Sequence, residues 1–300
     1  MKYRHIITNA TPYIGILGAI TSIVLFIFRP SWPTPDKLLV FLTFVFMAFK
    51  KAISMLKKLG PFVATLLAYE SFRGLAPHLN GRVEYWLMIH IDRFLGGGIL
   101  PTEWLQSHLW TGSVRWFDYG LYMVYMLHFI LPLGVALLIW RYKIQLYWRY
   151  VFTFVLVSFM GFATFVAMPA APPWMASRDG YIQPITRVST EVWFGLGIKD
   201  FPSVYNKISP NPVAAVPSLH AAYATLLTLF IWKAFGRKWG LLSLIYPACI
   251  YFGTVYQGEH YLIDEIIGSL YALVAYGSML RGYPYIRQYI LSVYRRIRSI

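Results

Sequence analysis

The chain has little charge, still less acid, and almost no cysteine. Charged residues make up 13% of its 300 positions against 58% hydrophobic, which excludes an ordinary soluble domain of this size. Lipid is the solvent for most of such a chain. Acidic residues number 12 against 27 Lys and Arg, giving a formal net charge of +15. That excess would suit nucleic acid, but nucleic-acid binders keep a soluble core and cluster their charge on one face, whereas apolar runs separate the charges here. The single cysteine, Cys249, excludes an intramolecular disulfide and a cysteine metal cluster, and its apolar run makes it a packing residue. Internal repeats and low-complexity segments are absent. No inverted repeat of broken helices is evident, which argues against a transporter. The first apolar stretch lacks a small-residue cleavage site and is closed by Arg29 and Pro30, so it reads as a retained span rather than a signal peptide.

What is present is a series of apolar runs near the ~20 residues needed to cross the hydrocarbon core. Six lie near 12 to 28, 117 to 140, 147 to 168, 214 to 235, 239 to 257 and 260 to 280. Two weaker runs, near 37 to 56 and 60 to 78, carry Lys50, Lys51, Glu70 and Arg73 and bring the expected number of crossings to eight. Cytoplasmic loops collect Lys and Arg. Alternating eight spans from a cytoplasmic N-terminus places Lys2, Arg4, Lys50, Lys51, Lys57, Lys58, Arg141, Lys143, Arg149, Lys233, Arg237, Lys238 and the tail arginines Arg281, Arg287, Arg295, Arg296 and Arg298 inside, more than half of the basic residues and none of the acidic ones. Both termini are thus expected in the cytoplasm.

The outer side then holds two long connections, roughly 79 to 116 and 169 to 213, and irregular loops are where function concentrates. Within the first, Tyr85, Trp86, Ile89 and Phe94 interleave with Glu84, Asp92 and Arg93, a pattern suited to a helix lying in the interface. The second opens with a stiff segment from Met168 to Trp174 that holds three prolines and cannot continue a helix. The expected fold is all-α, a polytopic transmembrane bundle forming a single membrane domain. Its expected parts are N-terminal membrane helices (1–78), an external amphipathic connection (79–116), a helical core (117–285) and a basic cytoplasmic tail (286–300).

Two histidines sit at equivalent places. In Pro217-Ser-Leu-His220, proline in a first turn and a capping serine mark a helix start, which puts His220 at the outer mouth of the sixth span. In His260-Tyr-Leu-Ile-Asp264 the two polar residues are four apart, so on a helix Asp264 can reach a ring nitrogen of His260. This pair opens the eighth span, which also enters from outside. One composite site follows. A histidine held by a carboxylate has a fixed tautomer and a more basic free nitrogen, as a nucleophile or general base requires. A second histidine opposite can protonate a leaving oxygen, and two helix N-termini favour a bound phosphate. The chemistry implied is phosphoryl transfer through a phosphohistidine. A serine hydrolase built on Ser218 would need a Gly-x-Ser-x-Gly elbow, which is missing. His260, Asp264 and one distant histidine make a thin metal site.

Pro-Ser-Leu-His220 followed by His260-x-x-x-Asp264 resembles the second and third signatures of the type-2 phosphatidic acid phosphatase superfamily. The resemblance to the superfamily covers about 120 residues, from Met168 to about Tyr285, and is closer to its inositol phosphorylceramide synthase and sphingolipid synthase branch. The resemblance implies a six-helix core, no metal, His260 as nucleophile, Asp264 as its orienting partner and His220 as the acid. It implies a phospholipid donor such as phosphatidylinositol and a lipid alcohol as acceptor. Water in place of the alcohol would give a lipid phosphate phosphatase, and the residues leave that choice open.

The chain departs from the phosphatase pattern in two places. Thr254 stands where that pattern has an arginine, six residues before the nucleophile, and no Lys-x6-Arg-Pro signature is present. Other cations must hold the phosphate, and the candidates are Arg73, Arg178, Arg187, Lys199 and Lys207, with Glu70 at helical spacing from Arg73 as an ion-pair partner. Ser218 is a cap or a phosphate donor. His128 lies in an aromatic run about three helical turns from Asp118. Tyr223, Tyr256 and Tyr261 read as packing aromatics, with Tyr256 also a candidate substrate contact.

Overall fold

The computed structural model describes residues 2–28, 35–196 and 211–298, an all-α bundle in which only isolated bridges interrupt the helical and loop backbone. Three N-terminal helices, α1 (Lys2–Phe28), α2 (Pro35–Ala48) and α3 (Ala52–Leu79), are followed by the short α4 (Trp86–Leu95) and α5 (Pro101–Leu109). Then come α6 (Trp116–Tyr142), α7 (Ile144–Ala167), the short α8 (Pro173–Arg178) and α9 (Val188–Gly195). The chain ends in α10 (Leu219–Phe235), α11 (Arg237–Ser243), α12 (Ile245–Tyr256) and α13 (Leu262–Arg298). Among the described residues, α6, α7, the α11–α12 unit and residues Leu262–Val293 of α13 are long and apolar enough to cross a membrane, while α10 is a shorter apolar helix. The protein is a polytopic integral membrane protein.

Helix boundaries differ from the expected runs in instructive ways. The run near 37 to 56 breaks at Lys50, whose φ of 57° ends α2 in a left-handed turn, with the Lys51 amide returning to Phe46 O at 2.8 Å. From Ala52 the helix runs on through Pro61. The run near 239 to 257 pauses at Leu244, before Pro247 in the first turn of α12, because proline has no N–H to give the preceding turn.

At the centre stands α10, packed against α6, α7, α12 and α13. Its Ala221, Ala222 and Ala224 are fully buried, and such small residues let helices approach closely where lipid gives no hydrophobic drive. Around them aromatic edges meet faces: Phe62 against Tyr150 and Phe154, and Tyr150 against Phe230. Large apolar residues on the outer faces, such as Leu241, Leu242, Leu270 and Val274, stay exposed, as a lipid-facing surface should.

One end of the bundle gathers both long connections. Asn80, closing α3, donates Nδ2 to Val166 O at 2.9 Å near the end of α7. Two isolated parallel bridges, Glu84 to Ala170 and Ala170 to Ala214, sew the connections to each other and to the segment entering α10. The start of α10 is pinned to that of α13: Ser218 N donates to Asp264 O at 3.0 Å. A side-chain carbon at Gly268 would strike the Ser218 carbonyl, so only glycine permits this approach.

α4 lies over the same end with Trp86, Leu87 and Phe94 exposed. Asp92, read from sequence as part of its polar face, is instead fully buried. Its carboxylate accepts from Leu262 N (3.1 Å) and Ile263 N (2.9 Å), satisfying two of the unpaired donors that begin any helix.

Candidate active site

Ser218 caps α10 through Ala221 N at 3.3 Å, and this helix start carries His220 in its first turn. His260 sits in the loop before α13, outside the span. Its Nδ1 lies 3.1 Å from Ala215 O and 3.5 Å from Asp264 Oδ2. Both neighbours are acceptors, so Nδ1 carries the hydrogen and Nε2 keeps the lone pair in the neutral ring. That Nε2 faces His220 Nδ1 at 3.2 Å. Asp264 is oriented in turn, its Oδ2 accepting from Tyr261 N at 2.9 Å. Burial alone would lower the His260 pKa, but hydrogen bonding to Asp264 and the charges of Glu265, Asp264 and Glu259 overcome it and hold the imidazole above its usual value. The His220 ring is clamped between Tyr125 (4.4 Å between centroids) and His128 (4.3 Å).

A cleft opens beside the pair, and its walls differ in chemistry. α6 supplies aromatics, Tyr122, Tyr125 and Phe129, while α3 supplies Tyr69, Glu70 and Arg73. Among the described residues Arg73 is the one Lys or Arg that lines the cleft, and it pairs with Glu70 at 3.1 Å. The short helices α8 and α9 contribute Trp174 and Ser189, and the loops before α10 and α13 contribute Asn211 and Glu259. Arg187 stands behind this rim, gripping the Glu259 carboxylate through Nε (2.8 Å) and Nη2 (2.9 Å), with Ser189 Oγ donating to the same group. Burial pushes the Glu259 pKa upward, yet Arg187 and the Ser189 hydrogen bond bring it below the usual carboxylate range.

Of the candidates from sequence, His220, His260, His128, Arg73 and Glu70 converge on this cleft, with Asp264 behind His260. Others lie elsewhere. Arg178 pairs with its neighbour Asp179 at 2.7 Å on an exposed turn. Ser218 is buried beneath the cleft as a cap. Tyr256 turns its hydroxyl to Asp118 at 2.8 Å, a buried tie between α12 and α6. Thr254 donates to Glu265 Oε1 at 2.8 Å, so the position of the missing arginine is filled by a neutral hydroxyl bonded to an acid. Lys199 and Lys207 lie outside the described residues. Sequence reasoning gave no role to Glu259, Ser189, Asn211 or Tyr125. Only Glu259 had a signal, its place beside His260, since the others reach the cleft through contacts distant in sequence.

Residues 86–278, more than half of the chain, match the PAP2 superfamily. The chain belongs to the PAP2 superfamily. As a member it is a membrane lipid phosphotransferase or phosphatase, and the histidine pair lies within the matched PAP2 region. α3, with Arg73, lies before it. The chain is similar to the phosphoinositol dihydroceramide synthase of Bacteroides thetaiotaomicron, 29% identical over 257 residues, or 78% of this chain and 80% of that protein. It is also similar to the inositol phosphorylceramide synthase of Candida albicans, at 27% over 54% of this chain and 35% of that protein. The catalytic subunit aur1 of the Schizosaccharomyces pombe inositol phosphorylceramide synthase is 26% identical over 57% of this chain and 40% of its own length. The chain therefore spans well under half of the fungal relatives. No solved structure matches the chain.

Proposed function

We propose that the protein moves a phosphoinositol head group from a glycerophospholipid to the hydroxyl of a ceramide-type lipid alcohol, with His260 as nucleophile and His220 as general acid and base. The observation that carries this reading is the 3.2 Å approach of His220 Nδ1 to His260 Nε2, with Asp264 and Ala215 holding the hydrogen on the far nitrogen of His260. In the first step Nε2 of His260 attacks the donor phosphorus and the P–O bond to diacylglycerol breaks. The His220 imidazolium gives its proton to the departing oxygen, leaving phosphoinositol on His260. In the second step the lipid alcohol attacks the phosphorus, neutral His220 takes its proton, and the N–P bond breaks to release the phosphodiester product and free His260. Arg73 faces the phosphate across the cleft and offsets its charge, the task an arginine six residues before the nucleophile performs in phosphatases.

The site is assigned to the extracytoplasmic side, with both termini cytoplasmic. Support comes from the distribution of charge. The cleft lies at the bundle end that collects both long connections, whereas Lys58, Lys143 and Arg149 lie at the end where Tyr147 OH meets Lys58 O at 2.7 Å, and cytoplasmic ends attract Lys and Arg.

The test is to incubate purified protein with labelled phosphatidylinositol, with and without ceramide. An inositol phosphodiester of ceramide and an equal amount of diacylglycerol should form only when ceramide is present, and a folded His260→Ala variant should form neither. Free phosphate or inositol phosphate as the only product would replace transfer with hydrolysis. An active His260→Ala would overturn the phosphohistidine route.

A further inference from the structure

Buried polar groups without a partner are costly and call for an explanation. Two such groups, those of Asn211 and Trp174, belong to side chains that line the cleft. Asn211, 3% exposed, spends Oδ1 on Val213 N at 3.2 Å, which fixes the amide and leaves Nδ2 buried without a partner. Trp174 Nε1 is likewise buried and unpartnered. Both residues line the cleft together with Glu259.

These three side chains share a rigid frame. Trp174 packs on the small apolar cluster that holds Val213, and its amide donates to Gly258 O at 3.0 Å, next to Glu259. Arg187 and Ser189 fix the Glu259 carboxylate, yet its Oε2, which receives Arg187 Nη2, has a second lone pair to offer.

Two fixed donors beside an acceptor complement hydroxyl groups, each of which gives and accepts. They do not complement a phosphate, which Glu259 would repel. A quaternary ammonium offers no hydrogen bond and would leave both donors buried and unpaired. Its usual seat is an aromatic face, but the Trp174 ring already carries the Arg187 guanidinium at 4.1 Å and that of Arg178 at 5.4 Å. A third positive charge is unwelcome there.

We propose that Asn211 and Trp174, with Glu259, form the subsite for the head-group hydroxyls of the donor lipid and set its preference for a polyol head group over an ammonium one. This rests on the phosphotransferase reading above. The subsite adds donor selection to it, because a site built to hydrogen-bond hydroxyls discriminates strongly against analogues that lack them.

The experiment compares three donors in detergent micelles with ceramide present: phosphatidylinositol, phosphatidylcholine and phosphatidylethanol, whose head group has no hydroxyl. Diacylglycerol release is the readout. Two variants remove one donor each while keeping shape: Asn211→Asp, which retains Oδ1 for Val213 N, and Trp174→Phe. Any effect of the new charge in Asn211→Asp on the phosphate falls on all donors alike, so the ratio of KM values is what decides. The wild type should favour phosphatidylinositol over phosphatidylcholine by at least about a hundredfold in kcat/KM. Each variant should raise the ratio of KM for phosphatidylinositol to KM for phosphatidylethanol by roughly tenfold, with kcat little changed. An unchanged ratio in variants that still transfer phosphoinositol would overturn the subsite and leave the transferase reading intact. Absence of diacylglycerol release from phosphatidylinositol by the wild type would overturn both.

Discussion

His220 Nδ1 and His260 Nε2 lie 3.2 Å apart although 40 positions separate them in the chain. Neither residue makes this contact by local structure alone. His220 is delivered by the cap of α10 and His260 by the loop before α13, and the two helix starts are locked by the Ser218 N to Asp264 O bond at 3.0 Å. The pair is therefore as precise as the packing of two helix ends.

The tautomer argument gives a pH prediction. In the proposed mechanism His260 attacks phosphorus through an unprotonated Nε2, and the nearby carboxylates hold its pKa above the usual 6.5 despite burial. Activity should consequently fall as pH drops through that raised value. Asp264→Asn removes the first of those raising contributions, so the acid limb of kcat/KM should move to lower pH while the plateau falls by roughly 10²–10⁴-fold. A pH–rate profile of both proteins measures this. An acid limb that stays put, or moves upward, would separate Asp264 from the basicity of His260.

Gly268 offers a test of the frame that positions the pair. A methyl group there would collide with the backbone carbonyl of Ser218, and backbone cannot rotate aside as a side chain can. Gly268→Ala should cost about 1–3 kcal/mol of stability, in the range of overpacked sites, and lower activity by separating the two helix starts. Gly277, on the same helix, has nothing near a built side-chain carbon, so Gly277→Ala should be neutral or slightly stabilising. Thermal unfolding in detergent distinguishes the two, and equal shifts would contradict the close-approach reading.

Much of this was legible beforehand because it is local. Long apolar runs and the Pro217-Ser218 start follow from short-range rules. The four-residue step from His260 to Asp264 does bring the pair within 3.5 Å, although His260 lies in the loop before α13 and not on the helix as the spacing suggested. The break at Lys50 was not legible, since a lysine with a φ of 57° is a choice made by packing and not by propensity. Asp92 was misassigned for a related reason. An interfacial pattern places an acid toward water, but the nearest unpaired amides, Leu262 and Ile263, lie 170 and 171 positions away in sequence. The polar rim of Trp174, Asn211 and Glu259 likewise arises from three segments, α8 and two loops, that come together only in the fold.

Arg73 carries the prediction on charge. It comes from a helix before the matched PAP2 region, and among the described residues it is the one Lys or Arg that lines the cleft. Arg73→Ala should lower kcat/KM by roughly 10²–10³-fold, the cost of removing one group aimed at transition-state charge. Arg73→Lys should recover part of the loss, because it restores the charge and not the planar fork. Kinetics on both variants decide the matter. Near-normal rates in Arg73→Ala would leave the Glu70 to Arg73 pair a structural brace and move the phosphate's cation elsewhere.

Asp92 ties α4 to the start of α13 and supplies a stability prediction whose sign is specific. Burial raises its pKa from 3.8 to about 6, with the charge of Asp264 adding to the effect and the two amide hydrogen bonds opposing it. The folded protein thus binds this proton more tightly than the unfolded chain, and the stability linked to it is fully present below the unfolded value and lost as pH rises through the folded one. Asp92→Asn cannot titrate, so it removes this dependence. The difference in melting temperature, wild type minus variant, should be more favourable to the wild type near about pH 4 than near about pH 7. A difference that is flat, or that grows with pH, would mean the amides of Leu262 and Ile263 hold Asp92 ionised throughout, and the clamp on α13 would then be a charge-assisted cap and not a buried acid.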